Sequence, residues 1–189
     1  MILRRLFSLY VLAALLLLTG CEAQQPSPGS AQATPPTLAT PLPGWEGVNN
    51  LFSSDEFFFA GQPDSAALVR FGRETGVGTV INIRDPRELA QLGYDEAVLV
   101  GSLGMRYVSI PVTPGSFSVA DVDRFADVLS ETDGKVLVHC SSSNRVGGLW
   151  AAYLARSKAL PLDQALQHGE AAGLRSPDMI EATRRVISQ

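Results

Sequence analysis

Cysteine and histidine are scarce in this 189-residue chain, two of each, and basic residues are outnumbered, 15 Lys and Arg against 19 Asp and Glu. His168 stands alone on a late helical stretch with no companion at ligand spacing, so no metal site is expected. No glycine-rich nucleotide loop is present either, and no cofactor is expected. A net charge of −4 makes nucleic acid and other extended polyanions poor partners. The longest apolar run, Leu6 to Leu18, is too short for a comfortable membrane-spanning helix.

That run is informative in another way. Arg4 and Arg5 precede it, and Leu18-Thr19-Gly20-Cys21 closes it. A basic start, a short apolar core and small residues before a break describe a secretory signal, here residues 1–20. The cysteine after Thr-Gly resembles the lipobox of bacterial lipoproteins, which implies cleavage before Cys21, lipidation of its thiol and a membrane partnership through acyl chains. The address implied is the cell envelope, on its periplasmic or extracytoplasmic face. Glu22 rather than Asp after the cysteine tilts it toward the outer membrane. The signal takes Arg4 and Arg5 with it, two of the 15 basic residues, leaving 13 against 19 acidic ones.

Residues 21–44 then carry six of the twelve prolines and a single charge. Such a stretch buries too little apolar area to offset ordering and reads as an extended tether. One domain is expected over 45–189. Within it, Phe57–Ala60, Val77–Ile83, Arg106–Ile110 and Val136–His139 read as strands. Helices are expected after the caps Asp64 and Ser118, over Tyr94–Leu103 and Val146–Ser157, and in two final segments, Leu162–Ala172 and Pro177–Ile187. The alternation implies an α/β fold, a mainly parallel sheet of four to five strands flanked by helices. Ligands in such sheets bind beyond the carboxyl ends of the strands.

One of those ends carries the chemistry. Strand Val136–His139 runs into Cys140, then Ser141, Ser142, Ser143 and Asn144, then Arg145 at the opening of a helix. Amide groups of a tight loop at a helix N-terminus favour a negative charge and favour the thiolate form of Cys140. Arg145 offers a planar fork of donors suited to a tetrahedral oxyanion. The hydroxyls of Ser141, Ser142 and Ser143 and the Asn144 amide can order the loop. His139 sits one residue back on the strand, so its side chain points to the opposite face and supports the backbone instead of acting as a base. With Cys21 lipidated, Cys140 has no internal partner in an oxidising compartment. The plainer alternative is a capping loop with Arg145 as a solvated first-turn charge. Trp150 and Tyr153 behind the cradle read most simply as core or rim.

From Phe57 onward, "AGQP", "VINIRD…E", "YVSIPV" and "VLVHCSSSNRVGGLWAAYLA" resemble small bacterial domains grouped with protein tyrosine and dual-specificity phosphatases, in the beta-lactamase-hydrolase-like, phosphatase-like branch. The resemblance covers nearly the whole domain. It implies a cysteine-phosphatase fold, Cys140 as nucleophile and Arg145 as phosphate binder.

Three departures stand out. Tyrosine phosphatases place five residues between cysteine and arginine, and here there are four, a spacing that resembles the persulfide cradle of rhodaneses and is shared by the phosphatase-like branch. Val146 occupies the position of a Ser or Thr that eases thiolate release. The loop after "YVSIPV", where an aspartic general acid is expected, reads Thr113-Pro114-Gly115-Ser116. Asp85 and Asp121 are the available stand-ins, with Glu88 and Gln62 weaker ones. A helix-capping role for Asp121, and a turn role for Asp85 before Pro86, compete with that assignment. Three functions therefore stand: a phosphatase-like hydrolase of small phosphate monoesters through a phosphocysteine, a rhodanese-like sulfurtransferase through a persulfide, or a non-catalytic anion-binding module. Protein partners are left open.

Overall fold

The computed structural model describes residues 36–189. The signal, Cys21 and most of the expected tether lie outside the described residues. The elements run in the order β1 (Thr40–Pro41), β2 (Phe52–Ser54), β3 (Phe57–Ala60), α1 (Ser65–Glu74), β4 (Val77–Asn82), α2 (Pro86–Leu89) and α3 (Glu96–Ser102). After them come β5 (Arg106–Ser109), α4 (Val119–Ser130), β6 (Lys135–His139), α5 (Asn144–Ser157), α6 (Leu162–Ala171) and α7 (Pro177–Ile187).

The strands form one mixed sheet of six in the order β1-β2-β3-β6-β4-β5, so the expected four to five strands are too few. The four anticipated strands pair in parallel, and β1 and β2 extend one edge antiparallel. Both extra strands are only two and three residues long, and Pro41 suits an edge, where its missing N–H costs no ladder bond. The sheet thus begins at Thr40, inside the segment whose composition reads as tether and ahead of Trp45.

β6 lies between β3 and β4, and its side chains alternate between two apolar layers. Val136, Val138 and Cys140 join the larger core with Ile81, Phe125, Leu149 and Trp150. Leu137 joins the smaller one with Leu68, Phe71, Val80 and Val100. Trp150 packs on Phe57 and Phe59, and Tyr153 meets Phe125 edge-on, so both aromatic residues are core. The caps fall where expected: Asp64 accepts from the Ala67 amide at 2.8 Å, and Ser118 and Asp121 form a capping box at the start of α4.

Helix α5 approaches its neighbours closely because it is lined with glycine. A Cβ on Gly147 would collide with the backbone of Gly169 and Leu174, and one on Gly148 with Met179 and Thr183. This contact brings the turn after α6 against the loop that follows β6.

Candidate active site

The loop Cys140–Ser143 leaves the central parallel strand between Gly61, after β3, and Ile83, after β4. The Cys140 amide donates to Ala60 O at 3.2 Å, and Ile83 N to His139 O at 3.0 Å. Three donors then pull the loop's carbonyls outward. Gln62 N reaches Ser141 O at 3.3 Å, while Asn50 Nδ2 and Arg175 Nη1 reach Ser142 O at 3.2 and 3.1 Å. Carbonyls that point out leave amides that point in, and Ser142 N donates to Cys140 Sγ at 3.5 Å. Close approach requires glycine at position 61, where a Cβ would lie 2.6 Å from Asn49 O and 3.0 Å from Ser141 O.

Ser143 closes the cradle with φ +66°, in the left-handed region, and is fully buried. Its hydroxyl donates to Ala172 O at 2.8 Å. Asn144 turns away from the loop: its Oδ1 accepts from Arg175 N and Ser176 N at 2.8 and 2.9 Å, and its Nδ2 donates to Ser176 Oγ at 2.8 Å. Asn144 therefore fastens the α6–α7 turn to the cradle instead of presenting its amide to an anion. Ser141 is exposed at the rim and accepts from Arg145 Nη2 at 3.2 Å. Cys140 itself is fully buried and is the free cysteine among the described residues. Val146 is buried in the core, with no hydroxyl to offer the sulfur.

Arg145 is held by Glu88 through both terminal nitrogens, at 2.7 and 2.9 Å, and by Val112 O at 3.3 Å. Burial works against its charge, but Glu88 and the Cys140 side chain outweigh that and raise the guanidinium above its ordinary pKa. Contact with Arg145 pulls the Glu88 carboxyl down to about 2 despite partial desolvation. Glu88 thus sits at the site as an ionised anchor, not as a proton donor.

The other expected acids are engaged as well. Asp85 caps α2, accepts from Arg87 N at 2.9 Å, and meets the Arg87 side chain at 2.9 and 2.8 Å. Those bonds to Arg87 hold its carboxyl far below the usual range. Asp121 accepts from Ser118 N and Ser118 Oγ, both at 2.9 Å, which is the capping role. Loop 113–117 is a turn closed by Thr113 Oγ1 and Ser116 Oγ at 2.8 Å and pinned from α7, where Arg185 donates to Pro114 O at 3.1 Å.

His139 lies on the face opposite Cys140, as the strand's alternation predicts. Its Nε2 is 2.9 Å from Glu96 Oε1, both side chains being essentially inaccessible. Burial opposes the charge of Glu96, yet contacts with His139, Gln62 and Asn82 bring its pKa below the ordinary value. Tyr107 Oη reaches Glu96 at 3.4 Å, and burial together with the Glu96 charge pushes the phenol up to about 12. Gln62 extends the network: it donates to Glu96 at 3.2 Å and accepts from Arg84 Nη1 at 2.6 Å. So Gln62 is a structural bridge rather than an acid. His168 is buried on α6, where desolvation pushes its imidazole pKa down.

Glu88 is legible in the sequence only as a weak stand-in for the acid, and Glu96, Arg175 and Asn50 carry no local signal at all. Glu88 lies 57 residues from Arg145, and no local pattern announces that pairing. Among the described residues no cluster of three or more His, Cys, Asp and Glu could hold a metal ion.

A protein from Pseudomonas aeruginosa, TpbA, has a similar fold: TM-score 0.61 at 20% identity, over 80% of this chain and 89% of that one. A cysteine-to-serine variant of TpbA in complex with phosphotyrosine aligns with a TM-score of 0.57 at 20% identity, over 73% and 82%. A beta-lactamase hydrolase-like protein of Xylella fastidiosa (strain Temecula1) is 31% identical over 122 residues, 64% of this chain and 28% of that protein. The chain therefore spans little more than a quarter of the length of that relative. Residues 51–157, more than half of the chain, match the model of the family described as beta-lactamase hydrolase-like protein, phosphatase-like domain, and the chain belongs to that family.

Proposed function

We propose that the chain is a cysteine-dependent phosphatase acting on small phosphate monoesters. The observation that carries this reading is the cradle itself: Cys140 Sγ accepts from the Ser142 amide just ahead of α5, with the Arg145 guanidinium held by Glu88 and in contact with the sulfur. Cys140 attacks phosphorus, and loop amides and Arg145 bind the equatorial oxygens, whose charge they stabilise without reorganisation. A phosphocysteine forms, and water then clears it, splitting one displacement into two. Glu88 positions Arg145, and the pair of His139 and Glu96 fixes the end of β6 that carries the sulfur. Family membership and the phosphotyrosine-bound neighbour support a phosphate ester as substrate.

The leader supports an extracytoplasmic location, with Cys21 lipidated and the domain joined to a membrane by the proline-rich segment. Labelling of the full chain with a radioactive fatty acid, lost in Cys21→Ala, tests the anchor. Phosphate release from 4-nitrophenyl phosphate by the domain, abolished in Cys140→Ser, tests the activity. Thiocyanate formation from thiosulfate and cyanide without phosphate release would favour the sulfurtransferase. Silence in both assays, with phosphate still shielding Cys140 from alkylation, would leave an anion-binding module.

A further inference from the structure

We infer that the site is built for phosphate groups whose leaving oxygen is stable as an anion, namely acyl phosphates and acidic aryl phosphates, rather than for alkyl phosphates. This rests on the phosphatase reading above and narrows its substrate class. Among the described residues, the four carboxyl groups weighed as proton donors, Asp85, Glu88, Asp121 and Glu96, are each committed elsewhere. Asp85 is clamped by the Arg87 side chain and caps α2. Glu88 is bound by both terminal nitrogens of Arg145, and Arg84 Nε lies 3.5 Å from the same Oε1 that Arg145 Nη2 reaches. Asp121 is used twice by Ser118. The loop next to Arg145, which meets it through Val112 O, offers only Thr113 and Ser116 hydroxyls bonded to each other. Arg185 holds that loop from α7 through Pro114 O and Phe117 O at 3.1 and 3.4 Å. Glu96 is buried with His139 on the other face of the sheet.

The Cys140 thiolate donates a pair to phosphorus, the S–P bond forms, and the P–O bond to the leaving group breaks. Its electron pair leaves on oxygen as a carboxylate or phenolate, with no proton supplied. Water next attacks phosphorus, the S–P bond breaks with its electron pair returning to sulfur, inorganic phosphate is released, and the water proton passes to solvent. Because the leaving oxygen carries the developing charge unaided, the rate follows its basicity.

The test is kcat/KM for the domain on 4-nitrophenyl phosphate, phenyl phosphate, acetyl phosphate and phosphoserine, with Cys140→Ser as the blank. With no proton donor to offset the greater basicity of phenolate, the fall from 4-nitrophenyl to phenyl phosphate should be at least about tenfold and approach a hundredfold, within the roughly 10²–10⁴-fold that a general acid would supply. Acetyl phosphate should turn over readily, and phosphoserine should not. A difference below tenfold between the two aryl esters, or comparable turnover of phosphoserine, would overturn the inference while leaving the phosphatase reading intact. No Cys140-dependent phosphate release from any of the four would sink that reading, and the inference with it.

Discussion

Glu88 grips Arg145 through both terminal nitrogens, at 2.7 and 2.9 Å, joining a four-residue helix after β4 to the helix after β6. Removing the charge in Glu88→Gln leaves the guanidinium free to rotate out of the cradle. For a partly exposed ion pair we expect a loss of about 1 kcal/mol in transition-state stabilisation, or roughly fivefold in kcat/KM. Steady-state kinetics check this; an unchanged kcat/KM would remove Glu88 from the site.

The same pair gives a pH signature. Glu88 falls from an ordinary 4.5 to about 2 on folding. A depressed carboxylate contributes stability that is fully present above pH 4.5 and is lost as pH falls toward 2. Denaturant unfolding of the parent and Glu88→Gln should therefore differ at pH 6 and converge near pH 2. A constant difference across that range would contradict the pairing.

Ser143 sets a cost against a gain. Its φ of +66° disfavours any side chain, but its hydroxyl satisfies the buried Ala172 carbonyl. Ser143→Gly relieves the backbone and loses the bond, two effects of about 1 kcal/mol each, so it should be nearly neutral. Ser143→Ala keeps the strain and loses the bond, and should destabilise by about 1 kcal/mol. Ser143→Val adds a β-branched side chain and should be worst. Thermal unfolding of the three variants gives the order, and Ala equal to or better than Gly would be inconsistent with it.

Gly61 is needed for space. An added Cβ would press on Asn49 O at 2.6 Å and Ser141 O at 3.0 Å, both backbone atoms that cannot swing aside. Gly61→Ala should cost about 1–3 kcal/mol in stability and shift the cradle. Proton–nitrogen spectra should show the change at Ser141 and Ser142, and unperturbed signals there would refute the contact.

Much of this site is legible in the chain because it is local. The apolar strand, the break at Cys140, the helix opening at Arg145 and the caps Asp64 and Ser118 are all set by neighbours in sequence. The opposite faces of Cys140 and His139 follow from the period of a strand. What escapes is long-range or very short. Strands of two and three residues carry no periodicity, so β1 and β2 pass for tether and loop. Glu88 resembles a spare acid until the fold brings Arg145 to it. Asn144 belongs by position to the cradle, but its amide is used by a turn 31 and 32 residues further on.

The most direct measurement of the central claim is an acid quench during turnover of 4-nitrophenyl phosphate, followed by mass analysis of the peptide bearing Cys140. The account predicts one phosphoryl group on that sulfur, absent from Cys140→Ser, with no turnover in the variant. Sustained phosphate release by Cys140→Ser would contradict it.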